Sequence, residues 1–374
     1  MEVPPHDFAA SLAMAKDDQD LKRHLIEHLG TDALSAPEKS DLVTRTMDVM
    51  TWVIQRTRKR YAERPERLVA CISSSTVENA LAVWSSSELD WIVLSEGLMN
   101  LYRDSVEEVA RLYQLAFPEV VNTELFKRLQ AEKPLSGGFG SALSSLMYFA
   151  AIAFYTGHEA GHHLAGHDGH YTMGAHAEQS FDALTDADQA ALTRQSLERE
   201  ADLIGLGLCR RAMESLLGQL WEVRQFSQRE RKVYQRVLAT LISVGTMTAL
   251  LKLKPREIEW KSISEKTHPP GVVRAVTLAS SISQYFKDNF SELDDSARDW
   301  IRLAALELAA GASIQPGSTV DKVYQERLDR GGEPAALRAT GIRKALYDPD
   351  FYAYIDQLKQ AREAIAPNLK PRVS

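Results

Sequence analysis

One segment of the sequence has residue types and a spacing that suit metal chemistry. His158-Glu159-Ala160-Gly161-His162 matches the pattern HExxH. Residues four apart lie on the same face of a helix, so His158 and His162 can bind one zinc ion through their imidazole nitrogens. Glu159 follows the first histidine. It can reach a metal-bound water as a general base without being a ligand.

A catalytic zinc ion usually takes three protein ligands and one water, so a third ligand is needed. Asp168 stands where a metzincin has its third ligand, but that pattern needs a glycine where Ala165 stands. Glu198 is the better candidate, because Asp202 shares its helix face and the apolar residues that follow predict a buried helix. Asp202 can then accept the free N–H of a ligand histidine, which fixes the ring.

These motifs resemble those of gluzincin metallopeptidases, in particular the HtpX and CAAX-prenyl-protease-type family, whose signature is HExxH followed by ExxAD. The chain has HEAGH followed by EREAD. Over about residues 68–290, two further segments are similar to that family. Thr267–Arg274 resembles its HPxxxxR segment, and Asn79–Leu81 with Trp91–Leu98 resembles its upstream segment, which ends differently here, in Met99. Without the family's transmembrane helices, the chain looks more like its soluble relatives, the Lit-type phage-exclusion peptidases being nearest.

The resemblance implies roles that spacing alone does not assign. His268 would donate a hydrogen bond to the oxyanion of the tetrahedral intermediate, and Arg274 would orient His268 or bind substrate carbonyls. In a gluzincin the exposed edge of a small sheet binds the substrate backbone as an added strand, so Asn79 would hydrogen-bond substrate. Without the resemblance, His268-Pro269 indicates a capped turn, and a turn role for Asn79 stays equally open.

Two helices must bring the metal motifs together. The apolar run Phe149–Phe154 predicts a buried helix that leads into HExxH, and Thr185–Asp188 predicts the start of the helix that carries Glu198. More histidines follow the first motif. They could bind a second metal ion, but we expect a surface role for them instead: His163, His167, His170 and His176.

The rest of the chain predicts a small sheet among many helices. Three short runs favour strands of an antiparallel or mixed sheet: Leu68–Ile72, Asn79–Trp84 and Trp91–Leu94. The capping box Ser35-Ala36-Pro37-Glu38 predicts a helix to about Ala62 with an apolar stripe, formed by Val43, Met47, Met50 and Ile54. Other helices are predicted at Val106–Leu115, Glu124–Glu132, Val237–Leu251, Val276–Phe286, Tyr352–Ile365, and Leu293–Ala310 with Gly311 as its stop.

Composition narrows the class of protein. The 374 residues are 44% hydrophobic and 25% charged, which is ordinary for a globular protein. A net charge of −7 indicates no general attraction to nucleic acid or anionic lipid. Cys71 and Cys209 are too few for a disulfide scaffold and lie in apolar runs. With no signal sequence and no suitable uncharged stretch, we expect a soluble cytoplasmic protein without a membrane span.

The sequence predicts an α+β fold that is mostly α-helical. A gluzincin-type zinc metallopeptidase core is expected at residues 67–290, between helical regions at 1–66 and 291–374. The predicted reaction is hydrolysis of an internal peptide bond in a protein or peptide, with one zinc ion on the HExxH histidines and Glu198. Two alternatives stay open: a non-catalytic module in which the metal stabilises the fold, and a membrane-associated protease. Glu159 argues against the first, and the short uncharged runs argue against the second.

Overall fold

A computed structural model describes residues 6–36, 39–60, 64–132, 138–167, 187–221, 223–251, 271–314 and 346–369, with single residues 322, 326 and 342. The strands are β1 (Leu68–Ser73), β2 (Ala80–Trp84) and β3 (Asp90–Ser95). The helices are α1 (Phe8–Asp17), α2 (Gln19–Leu29), α3 (Asp41–Arg58), α4 (Glu96–Ala116), α5 (Pro118–Val121), α6 (Glu124–Ala131), α7 (Ala142–Ala165), α8 (Ala187–Leu220), α9 (Gln228–Leu251), α10 (Gly271–Asn289), α11 (Asp295–Ser313) and α12 (Pro349–Ile365). The prediction of a mostly helical α+β fold is confirmed.

The three strands form one mixed sheet in the order β1–β3–β2, as the sequence allowed. β1 runs parallel to β3, with Leu68 opposite Asp90, whereas β2 runs antiparallel to β3. All residues of β1 and β3 are buried because helices cover both faces. Side chains of α2 pack on one face, and α3, α4 and α7 pack on the other. Among the described residues β2 pairs only with β3, so it is an edge strand, and it lies beside α7.

Helix α7 is the centre of the molecule, and all of its residues are buried, as its apolar sequence predicted. It packs against α3, α4, α8 and α9. Ser141 begins the helix by accepting a hydrogen bond from the Ser144 N–H. Gly166 ends it in a left-handed conformation with φ of 70°, which glycine adopts without strain. The chain therefore turns immediately after the HExxH motif.

The predicted start of α3 was wrong. The helix begins at Asp41, and the Ser40 side chain accepts a hydrogen bond from the Val43 N–H at 3.2 Å. Ser35 does not cap it, because its N–H donates to the Ile72 carbonyl and its hydroxyl bonds to a side chain of α4. The predicted stripe is confirmed, since all its members are buried: Val43, Met47, Met50 and Ile54.

Several other helices differ in length from the predictions. α3 ends at Arg58, before the expected Ala62. α4 begins at Glu96, well before the expected start, because Ser95 caps the helix directly after β3. α11 continues through Gly311, so this glycine is not a stop. Tertiary packing along each helix outweighs the local signal in such cases.

One hydrophobic core includes side chains from all three regions expected from the sequence, for example Met50, Phe154 and Leu358. The division into regions at residues 66 and 290 stays a prediction. Cys71 and Cys209 are free and buried, as predicted. Among the residues that the structure describes, no helix has both the length and the apolar character that crossing a membrane requires.

Candidate metal centre

Helices α7 and α8 approach so closely that small residues line their contact. A Cβ atom on Gly161 would lie 3.1 Å from Ala201 Cα, and one on Gly205 would lie 2.9 Å from the backbone nitrogen of His158. A larger residue at either glycine would force the two backbones apart. The close contact brings the HExxH motif of α7 against the turn of α8 that carries Glu198.

Three side chains meet where these helices touch. The Nε2 atoms of His158 and His162 are 3.2 Å apart, and the Glu198 carboxylate oxygens lie 3.4 Å and 3.5 Å from them. A tetrahedral zinc ion with bonds of about 2.0–2.1 Å separates its ligand atoms by about 3.4 Å. These separations are close to that value, so among the described residues these three side chains could together hold one metal ion.

The three donors are almost fully buried, with exposed fractions of 3% for His158, 0% for His162 and 3% for Glu198. A buried carboxylate needs a compensating positive charge; Arg274 Nη1 lies 3.6 Å from Glu198 Oε2, and a metal ion would add to that charge. Glu159 is 6% exposed and lies next to His158 on α7. The structure therefore places Glu159 beside the three side chains that could hold a metal ion.

His158 is held from behind by Asp202 and Arg274. Its Nδ1 lies 3.0 Å from Asp202 Oδ1, so Nε2 is left to face the metal position. Arg274 of α10 binds Asp202 through two nitrogens, at 2.5 Å and 3.1 Å. Burial would raise the pKa of Asp202, but the charges of Arg274 and His158 hold it below its usual value. The predicted position of Asp202 behind a ligand histidine is thus observed as a contact.

The same contacts affect the imidazole of His158. Burial and the nearby Arg274 both lower the pKa of His158, but hydrogen bonds to Asp202 and Glu198 outweigh them and raise it to about 9. A metal ion that binds His158 at neutral pH must therefore displace a proton.

Two of the additional histidines are buried, so the expected surface role was wrong for them. His163 Nε2 lies 2.9 Å from the Trp91 carbonyl oxygen, and its ring packs edge-on against Trp84. His167 Nδ1 lies 2.8 Å from Nδ1 of His162. His163 lies within α7 and faces β3, whereas the turn after α7 brings His167 back into the interior, so both imidazoles find polar partners there instead of water.

His167 contacts Glu200, an acid of the EREAD segment for which the motifs predicted no role. His167 Nε2 lies 3.1 Å from Glu200 Oε2, and Arg362 of α12 donates to both Glu200 oxygens at 2.6 Å and 2.7 Å. Burial would raise the pKa of Glu200, but hydrogen bonds from His167 and Arg362 lower it to about 2. No sequence spacing signals this contact, because three separate elements create it.

Asn79 lies directly before the edge strand β2. Its side-chain oxygen accepts a hydrogen bond from the Ala80 N–H at 2.9 Å, and its own N–H donates to the Ser95 hydroxyl at 3.1 Å. These contacts suit a residue at the end of a turn, and a role in binding substrate stays a prediction. Four other candidates lie outside the described residues: Asp168, His170, His176 and His268.

Comparison with known proteins gave no match to any family profile, curated protein or solved structure. The resemblance to gluzincins therefore rests on the motifs alone. The case for a metal centre rests on the distances between its side chains.

Proposed function

We propose that the chain is a zinc-dependent metalloendopeptidase, with one zinc ion on His158, His162 and Glu198. The observation that carries this proposal is the spacing of the donor atoms: the two Nε2 atoms are 3.2 Å apart, and each lies 3.4–3.5 Å from a different oxygen of Glu198. It matches the edge of a zinc tetrahedron, and three protein ligands leave the fourth position that a hydrolase needs.

The proposed reaction is hydrolysis of an internal peptide bond in a protein or peptide. A bound zinc ion would supply Lewis acidity toward the scissile carbonyl and the attacking water. Glu159 takes a proton from the water and passes it to the leaving amine. His268, by its likeness to the gluzincin motif, donates to the oxyanion. Arg274 binds Asp202 and also lies 3.2 Å from His158 Nδ1 and 3.6 Å from Glu198 Oε2, so it helps to hold these side chains in place.

Substrate would bind as an added strand along β2, the edge of the sheet next to α7. An extended peptide can pair with such an edge through its main chain, and Asn79 stands at the beginning of that strand. The proposed compartment is the cytoplasm, where the free Cys71 and Cys209 would stay reduced.

A second candidate is a metal site that stabilises the fold without catalysis. The observation that favours it is burial, since the three ligands and Glu159 are each at most 6% exposed. Against it stands the donor count within the described residues, which is three, because a structural zinc site closes its fourth position with a protein ligand. Glu159→Gln separates the two candidates, since it removes the base and leaves the three ligands.

The decisive comparison is between cells that make wild-type protein and cells that make Glu159→Gln at equal levels. A proteome-wide search for new protein N-termini should find cleavage products only with the wild type. Purified Glu159→Gln should keep its zinc and its fold. Identical N-termini in the two cell populations, with zinc bound to both proteins, would overturn the peptidase and favour the structural site.

A further inference from the structure

We propose that His167, Glu200 and Arg362 position the metal ligand His162, and that the C-terminal helix α12 is thereby part of the metal centre. This inference rests on the zinc site proposed above. It concerns the second ligand histidine, whose Nδ1 faces the imidazole of His167. His167 and Glu200 are positioning residues, and they act on the metal through His162.

The contacts form one continuous chain from the metal position to α12. His162 Nδ1 is 2.8 Å from His167 Nδ1, and His167 Nε2 is 3.1 Å from Glu200. Arg362 then binds Glu200 with two nitrogens. His162 and His167 are fully buried. Each step is within hydrogen-bond distance; the first two involve a fully buried imidazole, and the Arg362 and Glu200 side chains of the last step are 29% and 26% exposed.

The position of each proton in this series of contacts can be assigned, starting from Glu200 and Arg362. Arg362 donates to both oxygens of Glu200, so the Glu200 carboxylate accepts from His167 as well, which places the His167 proton on Nε2. A neutral His167 then presents an unprotonated Nδ1, which accepts the Nδ1–H of His162. His162 is left with a lone pair on Nε2, the atom that faces His158 and Glu198. The contacts therefore select the tautomer that a metal ligand needs.

Arg362 is held in place by the packing of α12 on α8. On one side, the Tyr354 hydroxyl donates to the Gln195 side chain at 2.7 Å. On the other side, Ile365 and Leu369 pack against the fully buried Leu197. These contacts flank Arg362 along the chain and lie next to the turn of α8 that carries Glu198. A displacement of α12 would move Arg362 and release Glu200.

The two ligand histidines are thus supported differently. His158 donates directly to Asp202, a carboxylate on the helix that also supplies the third ligand. His162 reaches its carboxylate through a second imidazole, and that carboxylate depends on a helix from the far end of the chain. A neutral imidazole acceptor is weaker than a carboxylate, so correct orientation at His162 depends more on the rigidity of the surrounding packing.

The test measures zinc affinity of the full-length protein by competition with a chromophoric chelator. Loss of a partner behind a ligand histidine costs about 10–100-fold in metal affinity. We expect a loss of that size for His167→Ala and Glu200→Gln, and a smaller loss for Arg362→Ala, which acts through two intermediates. His167→Gln should recover part of the affinity, because its amide oxygen can accept the His162 proton.

Two control variants each remove a charged side chain from α8 or α12, the helices of Glu200 and Arg362, but at positions away from the metal. Glu214→Gln makes the same substitution as Glu200→Gln on α8 and breaks an ion pair with Arg210, away from the metal position. Lys359→Ala removes an exposed cation of α12 that pairs with Asp356. Both should bind zinc as wild type does. A cobalt-substituted protein adds a spectroscopic readout, since its visible bands report the geometry of the ligand set.

The outcomes separate this inference from the proposed function. A wild-type protein that binds no zinc or cobalt would overturn both. Wild-type zinc affinity and an unchanged cobalt spectrum in His167→Ala, Glu200→Gln and Arg362→Ala would overturn only the positioning role. If His167→Ala fails to fold, Glu200→Gln and Arg362→Ala decide the question. Weakened zinc binding in these folded variants supports the positioning role, and normal zinc binding refutes it.

Discussion

The Nδ1 atom of His158 lies 3.0 Å from Oδ1 of Asp202, so the helix that supplies the third candidate ligand also orients the first. Asp202 is 2% exposed and is held in turn by Arg274. A carboxylate in that position fixes the imidazole proton on Nδ1 and turns Nε2 toward the metal. The proposed centre is therefore built on contacts between α7, α8 and α10.

Asp202→Asn tests this contact. The amide keeps the shape but removes the charge, and it leaves the buried Arg274 with Glu198, at 3.6 Å, as its remaining carboxylate partner. We expect zinc affinity to fall about 10–100-fold. Asp356→Asn makes the same substitution on an exposed carboxylate of α12 and should have no effect. Equal affinity in the two variants would show that Asp202 does not support His158.

The close contact between α7 and α8 gives a prediction at Gly205. A methyl group there would meet the His158 backbone at 2.9 Å and push the helices apart. We expect Gly205→Ala to lower the free energy of unfolding by about 1–3 kcal/mol and to weaken zinc binding. Gly218→Ala on the same helix meets no atom within 4 Å. It should be neutral or slightly stabilising, since alanine favours helix by about 1 kcal/mol.

That comparison uses denaturant unfolding of the metal-free proteins and chelator competition for zinc. If Gly205→Ala matched Gly218→Ala in both measurements, the helices would not need their close approach to form the site.

Metal removal should lower the stability of the folded protein. A ligand that binds only the native state stabilises it, by about 2.7 kcal/mol at a hundred-fold excess over its Kd. A chelator should therefore lower the Tm of the wild type and leave the Tm of His162→Ala unchanged. An equal shift in the two proteins would mean that the metal binds elsewhere.

His268→Ala tests a role that comes from resemblance alone. A donor that meets the oxyanion only in the transition state should reduce kcat by about a hundred- to a thousand-fold, with KM and zinc content nearly unchanged. Arg274→Ala should instead weaken zinc binding, because Arg274 binds Asp202. A His268→Ala protein that unfolds, or one that keeps full kcat, would favour the capped-turn interpretation of His268-Pro269.

The sequence predicted the parts of this centre that follow from helical periodicity. His158 and His162 lie four residues apart on one helix, as do Glu198 and Asp202, so each pair had to share a face. The three strands were also predictable, because short apolar runs rich in branched and aromatic residues favour buried strands. Their mixed order was only one of the possibilities that such runs allow.

The contacts that depend on distant elements could not be predicted in this way. In the sequence, Glu200 is one of several charged residues in the EREAD segment, and no neighbouring residue indicates its role. Its partners come instead from the turn after α7 and from α12. His167 looked like a surface histidine for the same reason. The spacing of small residues in the sequence does indicate the close contact between α7 and α8. Gly161 lies four residues after Gly157, and Gly205 lies four after Ala201, which is the spacing of two helices in close contact.

The most direct test of the central claim is the zinc content and zinc-edge X-ray absorption of the purified protein. A variant with His24→Ala and His28→Ala serves as background, because those residues and Glu27 lie close enough on α2 to bind a stray ion. We predict one zinc per chain, with two imidazole nitrogens and a carboxylate oxygen at about 2.0–2.2 Å, and loss of zinc in Glu198→Ala. A protein without zinc, or an unchanged zinc signal in Glu198→Ala, would contradict the account.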